Sequence, residues 1–222
     1  MADKFAVIGL GQFGSAIARK LSQKGAEVIA IDTDEEKVEA IREDVAYAVT
    51  LDATDQKALE SQDMNKMDAV IVSIGQNFQD LLLCCFQLQE MEIGRIIARA
   101  QGATQRRILE KMGIQEILSP EDEVANNVAE QLMNPGVVMC FELPDGYEIV
   151  EIKAPKALYS RTLGDIGLRE KYKLNLVTLL REENNEHHIY GVPDAETIVE
   201  KGDIIVVFGT VRDIERFIEI NS

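Results

Sequence analysis

The sequence has 222 residues, 46% hydrophobic and 28% charged, a mix that can bury a core and excludes disorder as the main state. Its 39 acidic against 23 basic residues give a formal net charge of -16, which repels phosphate backbones and argues against nucleic acid as a partner. No apolar stretch approaches the roughly 20 residues of a membrane span, and the start, MADKF, lacks a signal-like hydrophobic region, so a cytoplasmic chain is expected.

In chain order, KFAVIG (4–9) reads as a strand and QFGSAIARKLSQK (12–24) as a helix with Phe13, Ile17 and Leu21 on one face, closed by Gly25. AEVIAID (26–32) is a second strand, and Asp34 caps a helix reaching about Glu43. AYAVTLD leads to a third strand, and Thr54 is placed to cap the helix that includes Leu59. DAVIVSIG (68–75) is a buried strand and NFQDLLLCCFQLQEM (77–91) a strongly apolar helix. RIIARA (95–100), TQRRILEKM before Gly113, and QEILSP follow as strand, helix and strand. Strands separated by such helices predict a doubly wound, Rossmann-like parallel sheet.

EDEVANNVAEQLMN (121–134) reads as a helix, after which Pro135-Gly136 punctuates the chain and the rhythm changes. FELPDGYEIVEIKA holds a Pro-Asp-Gly turn and an alternating strand, and TLGDIGLREKY reads as a short helix. NLVTLLREENNEHHIYGV resembles two strands joined by a polar turn that would carry His187 and His188. DIIVVFGT and VRDIERFIEI end the chain as strand and helix. The expected fold class is therefore α/β, with a nucleotide-binding domain over 1–136 and a smaller, mainly antiparallel α+β domain over 137–222.

GLGQFG (9–14) sits between strand and helix, where Gly9 permits the tight turn, Gly11 lets backbone approach a pyrophosphate and Gly14 permits close helix packing. Asp32, ending the second strand, is placed to receive ribose hydroxyls, and its charge disfavours a 2′-phosphate. No G-K-[ST] is present to make a P-loop, so ATP, ADP and NAD stay open as ligands. Asp52, Ala53 and Thr54 after the third strand, and Ser73, Ile74 and Gly75 after the fourth, lie at carboxyl strand ends, where such sheets bind ligands. Asp34 and Thr54 serve as caps and as ligand contacts in the two competing readings. Gln12, Phe13, Thr33, Ala100 and Gln105 flank these positions and complete the candidate set, and Arg99 ends the fifth strand, able to neutralise a phosphate or to pair with a carboxylate.

Cys84, Cys85 and Cys140 have neither disulfide nor zinc spacing and read as buried structural thiols. A dehydrogenase would need an acid/base group and substrate anchors, yet the only histidines are the pair in the expected turn. A nucleotide site without chemistry points to sensing, with no catalytic residue assigned.

GLGQFG, AIDTDEEKV, LDATD, VIVSIG, ILEKMG and SPEDEVANNVAEQL, in this order, with TLGDIGLREKY and GVPDAETIVEKGDIIVVFG, resemble the KtrA/TrkA family of potassium-transport regulators over essentially the whole chain. The resemblance implies an RCK N-terminal plus an RCK C-terminal domain. It implies a homodimer assembling into an octameric ring that docks on an integral-membrane potassium-translocating subunit of KtrB/TrkH type. ATP and ADP would favour different ring shapes, with NAD(H) as the alternative ligand. By the same resemblance Asp52 and Ala53 line the adenine side, Ile74 and Gly75 form a wall, Arg99 and Gln101 lie near the phosphates, and Glu121 helps to hold Mg2+ or another cation.

Two positions bear on the ligand. The family motif usually reads G-L-G-R-F-G, whereas Gln12 stands at the arginine position, so discrimination of ATP from ADP would weaken, pass to Arg99 or Arg106, or not be the signal of this chain. In the tail, Leu163, Ile166, Arg169 and Pro193 stand at places comparable to those that bind cyclic di-AMP in some relatives, although Leu and Ile at helical spacing also fit a core. The expected function is a nucleotide-sensing regulatory subunit of a Ktr/Trk-type potassium uptake system. The competing readings are a small NAD-dependent oxidoreductase and an adaptor for another membrane protein.

Overall fold

The structure is a computed structural model describing residues 2–183 and 186–221. It forms two compact units, Met1–Asp122 and Glu123–Ser222. The first contains β1 (Lys4–Ile8), α1 (Gln12–Gln23), β2 (Glu27–Asp32), α2 (Glu35–Ile41), β3 (Tyr47–Thr50), α3 (Gln56–Glu60), β4 (Ala69–Val72), α4 (Phe78–Glu90), β5 (Ile96–Arg99), α5 (Ala103–Lys111) and β6 (Glu116–Leu118). α6 (Pro120–Met133) starts at its end.

These six strands form one parallel sheet in the order β3-β2-β1-β4-β5-β6, with Ile8 in register between Ile31 and Val72. The apolar runs are continuous because both faces are covered. Ala6, Ile8, Ile31, Val70 and Val72 point to one core, filled by Leu59 of α3, Leu81, Cys84, Cys85 and Leu88 of α4 and Leu109 of α5. Their neighbours Val7, Val28, Ala30 and Ile71 point to the other, filled by Ala18 of α1 and Val38 and Ile41 of α2. This is the doubly wound arrangement the strand and helix rhythm predicts.

One expected cap is corrected. Asp34 accepts the Glu36 N–H and caps α2, but α3 is capped by Asp55, which accepts the Lys57 N–H. Thr54 turns back instead, its hydroxyl and its N–H both donating to Asp52 Oδ1. The aspartate one residue later has the shorter reach to the first helical turn.

The second unit holds the remainder of α6, then β7 (Val137–Leu143), β8 (Tyr147–Lys153), α7 (Leu163–Ile166), α8 (Leu168–Tyr172), β9 (Asn175–Glu183), β10 (Glu186–Ile189), β11 (Ile204–Thr210) and α9 (Val211–Asn221). Its sheet runs β10-β9-β11-β8-β7, antiparallel throughout. Val150, Ile152, Leu179, Ile205 and Val207 pack beneath Ile214 and Phe217 of α9. The first compact unit ends at Asp122, early in α6, and the Pro135-Gly136 pair follows the end of that helix.

Three local features differ from the sequence expectation. TLGDIGLREKY forms two short helices because Gly167, at φ +64°, takes a left-handed conformation between them. β7 begins at Val137, hidden from pattern reading by a register shift between Val137 and Met139 that breaks its alternation. His187 and His188 lie on the exposed edge strand β10, opposite Glu182 and Arg181; the polar turn at Asn184 and Asn185 falls outside the described residues.

All three cysteines are buried and free. Burial raises the Cys84 thiol well above its ordinary value and pushes Cys85 up to about 12. Cys140, raised to about 12 by burial and then by nearby Glu148, lines a cleft with Glu130, Asn134, Glu148, Ile214 and Glu215. Burial, and then the charges of Glu130, Glu142 and Glu215, also lift the Glu148 carboxyl above its usual range. A carboxyl raised on folding costs stability once it ionises, so the penalty is complete at neutral pH and absent below the unfolded value. Glu148→Gln should therefore raise Tm by about 2 °C at pH 7 in a thermal scan, with the gain vanishing below about pH 4.

Candidate functional site

β1 and β4 are adjacent in the sheet, yet the chain leaves them in opposite directions, α1 to one face and α4 to the other. The crevice beyond their carboxyl ends is where open α/β sheets take ligands. GLGQFG occupies one lip and Ser73-Ile74-Gly75 the other. Gly9 has φ +93°, and a Cβ there would lie 2.8 Å from the Ser73 carbonyl. A Cβ on Gly14 would lie 1.9 Å from the Gly9 oxygen. Both are thus required by the protein's own packing.

Gly11 is different. It caps α1 with φ −66°, a value any residue adopts, and a Cβ there would meet nothing within 4 Å. No side chain caps this helix start, and its first turn holds no acidic residue. The result is an uncapped, electropositive helix end beneath open space, suited to phosphate. Gln12 is exposed on the same turn and Phe13 half-buried beside it.

Asp32 ties the loop to β2. Its Oδ2 accepts the Leu10 N–H at 2.7 Å and its Oδ1 the Asp34 N–H at 2.9 Å. Lys37, three residues into α2, reaches both Asp32 and Asp34 at 3.5 Å. The lysine was not legible as a site residue, although its spacing from Asp34 on the helix is the signal that would have found it. Thr33 is exposed at the end of β2. On the next strand, the Thr54 hydroxyl and N–H hold the Asp52 carboxyl below the usual carboxylate range. Ala53 is buried between them.

Across the crevice, Ser73 is buried with its hydroxyl unpartnered, and Ile74 is half-buried. Gly75 has room for Gln101 Nε2 and Arg99 NH1, which stand 3.4 and 3.5 Å from the place its Cβ would take. The Arg99 guanidinium lies over the Phe13 ring at 5.3 Å, its Nε is buried without a partner, and its NH2 pairs with Glu121 in the first turn of α6. That pair holds the Glu121 carboxyl below its usual range. Ala100 is fully buried, and the Gln101 N–H donates to Gln105 Oε1 at 2.8 Å. Arg106 NH2 donates to the Ile117 carbonyl and to the buried Ser119 hydroxyl, which ties its side chain to β6.

The candidate site therefore draws on backbone donors at Gly11, the polar side chains of Asp32, Asp52 and Ser73, and the cations Arg99 and Lys37. Among the described residues, no group of three or more His, Cys, Asp or Glu side chains is placed to hold a metal ion. No helix among them is long and apolar enough to cross a membrane. In the second unit, Leu163 and Ile166 are packed in the core, Arg169 donates twice to Asn175 Oδ1, and Pro193 is half-buried.

Comparison with known proteins places the chain in a family. The TrkA-N domain family matches residues 5–120 and the TrkA-C domain family residues 147–222. The chain is 36% identical over 217 residues to Ktr system potassium uptake protein C of Bacillus subtilis, covering 98% of this chain and 96% of that protein. It is 36% identical over 216 residues to Ktr system potassium uptake protein A of the same organism, covering 96% and 95%. Among solved structures, the GsuK channel bound to NAD has the same fold, with a TM-score of 0.63 at 16% identity over 96% of this chain. The chain spans 38% of that channel's length.

The two glycines separate packing from binding experimentally. Gly14→Ala should unfold the first unit or cost it more than about 3 kcal/mol in urea titration, since backbone must move to admit the methyl group. Gly11→Ala should stay within about 1 kcal/mol of the wild type in the same titration.

Proposed function

Because the chain belongs to the TrkA-N/TrkA-C family that includes the Ktr potassium uptake proteins, we propose that it is the nucleotide-binding regulatory subunit of a Ktr/Trk-type potassium uptake system. The observation that carries the nucleotide half of this reading is Gly11. Protein packing accounts for Gly9 and Gly14 but not for Gly11, and a pyrophosphate lying on the uncapped start of α1 does account for it. The unpartnered Ser73 hydroxyl and Arg99 Nε are further polar groups in search of a ligand.

In this reading Asp32 receives the ribose hydroxyls with the oxygen lone pairs that Leu10 and Asp34 leave free, and Asp52 and Ala53 face the base. ATP and ADP are the leading ligands and NAD(H) the second, the GsuK channel having been solved with NAD bound. Gln12 brings no charge to the phosphates, so Arg99 is the cation that counts their number. A Mg2+ or similar ion at Glu121 would draw its other ligands from phosphate oxygens. A cyclic di-AMP site in the second unit has weaker support, because Leu163 and Ile166 already face the core.

Control follows from linkage. A ligand shifts an assembly between two shapes only by its difference in affinity for them, so no bond need break. We take the assembly to be a homodimer-built octameric ring docked peripherally on the inner face of the membrane, on a potassium-translocating subunit. The oxidoreductase reading asks for a proton donor that the regulatory reading does not; the two histidines of the sequence stand on β10 of the second unit.

The test is titration of the purified chain with ATP, ADP, NAD and NADH, with and without Mg2+, reading affinity and oligomer mass together. The expected result is saturable binding by an octamer, with ATP and ADP bound at different affinities and no absorbance change with time when NADH is the ligand. Gly11→Ala should weaken binding at least about tenfold while leaving mass and fold unchanged. A monomer, or equal affinity for every nucleotide, would contradict the switch.

A further inference from the structure

Arg99 and Glu121 are unequal partners. The arginine side chain is 15% exposed, pinned between the Phe13 ring and the Gly75 backbone, while the glutamate is 54% exposed. The guanidinium is therefore a held cation at the mouth of the crevice, and the carboxylate is an exposed one-point partner from the first turn of α6. An exposed carboxylate held by one ion pair contributes little and exchanges readily. A phosphate lying on the α1 start, within reach of the guanidinium over Phe13, would meet Arg99 already neutralised.

We propose that Glu121 is a specificity-determining residue that acts as an internal anion: it occupies Arg99 in the absence of ligand and must be displaced by the phosphate groups of a bound nucleotide. This inference rests on the nucleotide reading above. Its physical content is competition. A ligand with no phosphate does not contest Arg99 and feels nothing from Glu121. A monophosphate contests it weakly, and a diphosphate or triphosphate, with more charge and more oxygens in a bidentate arrangement, displaces the carboxylate. Without a divalent ion, Glu121 thus lowers affinity most for the ligands that must displace it, and so flattens the dependence on phosphate number. Because Glu121 lies in the first turn of α6, displacement also reaches the helix that continues into the second unit.

The test is calorimetric titration of the full chain with adenosine, AMP and ADP in EDTA, so that no divalent ion bridges carboxylate to phosphate. Glu121→Gln keeps the shape and removes the charge. It should bind ADP about tenfold more tightly than the wild type, AMP by a smaller factor, and adenosine unchanged. Glu121→Asp, which keeps the competing charge, should stay close to the wild type. Adding Glu121→Gln to Arg99→Gln should bring no gain, because the contested cation is gone. Unchanged or weaker ADP binding by Glu121→Gln overturns the proposal, as does an equal gain for adenosine, which would mark a structural effect. Absence of nucleotide binding by both wild type and Glu121→Gln would overturn the nucleotide reading itself, whereas binding by the wild type with no effect of the substitution overturns only the competition.

Discussion

Everything at the crevice depends on how closely α1 approaches the end of β1. With a Gly14 Cβ only 1.9 Å from the Gly9 backbone oxygen, the helix can start where it does only if residue 14 lacks a side chain. That start fixes the direction of the helix axis, and so of its positive end, toward the gap between β1 and β4. Asp32 then locks the loop from the β2 side by accepting the Leu10 N–H. The remaining groups, Asp52, Ser73 and Arg99, follow from the parallel register of the sheet, which brings the carboxyl ends of all six strands to one edge.

The first unit was legible in the sequence because its signals are redundant. The central strands β1, β2 and β4 are apolar on both faces, the longer helices have a periodic stripe, and Asp34, Asn77, Gly25 and Gly113 mark ends by their chemistry. The second unit was legible in class but not in detail. The alternation of β8 and the continuous apolar run of β11 stand out, but β7 carries a register shift at Val137 and Met139 that scrambles the period. Gly167 looked like one more residue of a short helix, and only its positive φ reveals a break. Asp55 and Thr54 both suit a cap, and reach rather than residue type decides between them.

At the site, identity was readable and partnership was not. The glycines and strand-end carboxylates announce themselves by spacing. No spacing rule says that Arg99 stacks on Phe13, that Arg106 donates to Ser119 and the Ile117 carbonyl, or that Lys37 spans Asp32 and Asp34. Those are contacts between elements distant in sequence, set by side-chain rotamers in the folded state. Because partnership decides which cation remains available, the ligand's charge could be argued only once the contacts were known.

The buried cysteines have a use of their own. Cys84 and Cys85 sit in the core of the first unit and Cys140 in the second, each thiol raised by burial and so almost wholly protonated at neutral pH. A thiol in that state is inert to alkylation until its surroundings open, when it regains its ordinary reactivity. The chain therefore carries an intrinsic clock in each half. Mass spectra of timed alkylation would resolve how often either half breathes, and a bound ligand that slows one clock and not the other would mark which half it holds shut.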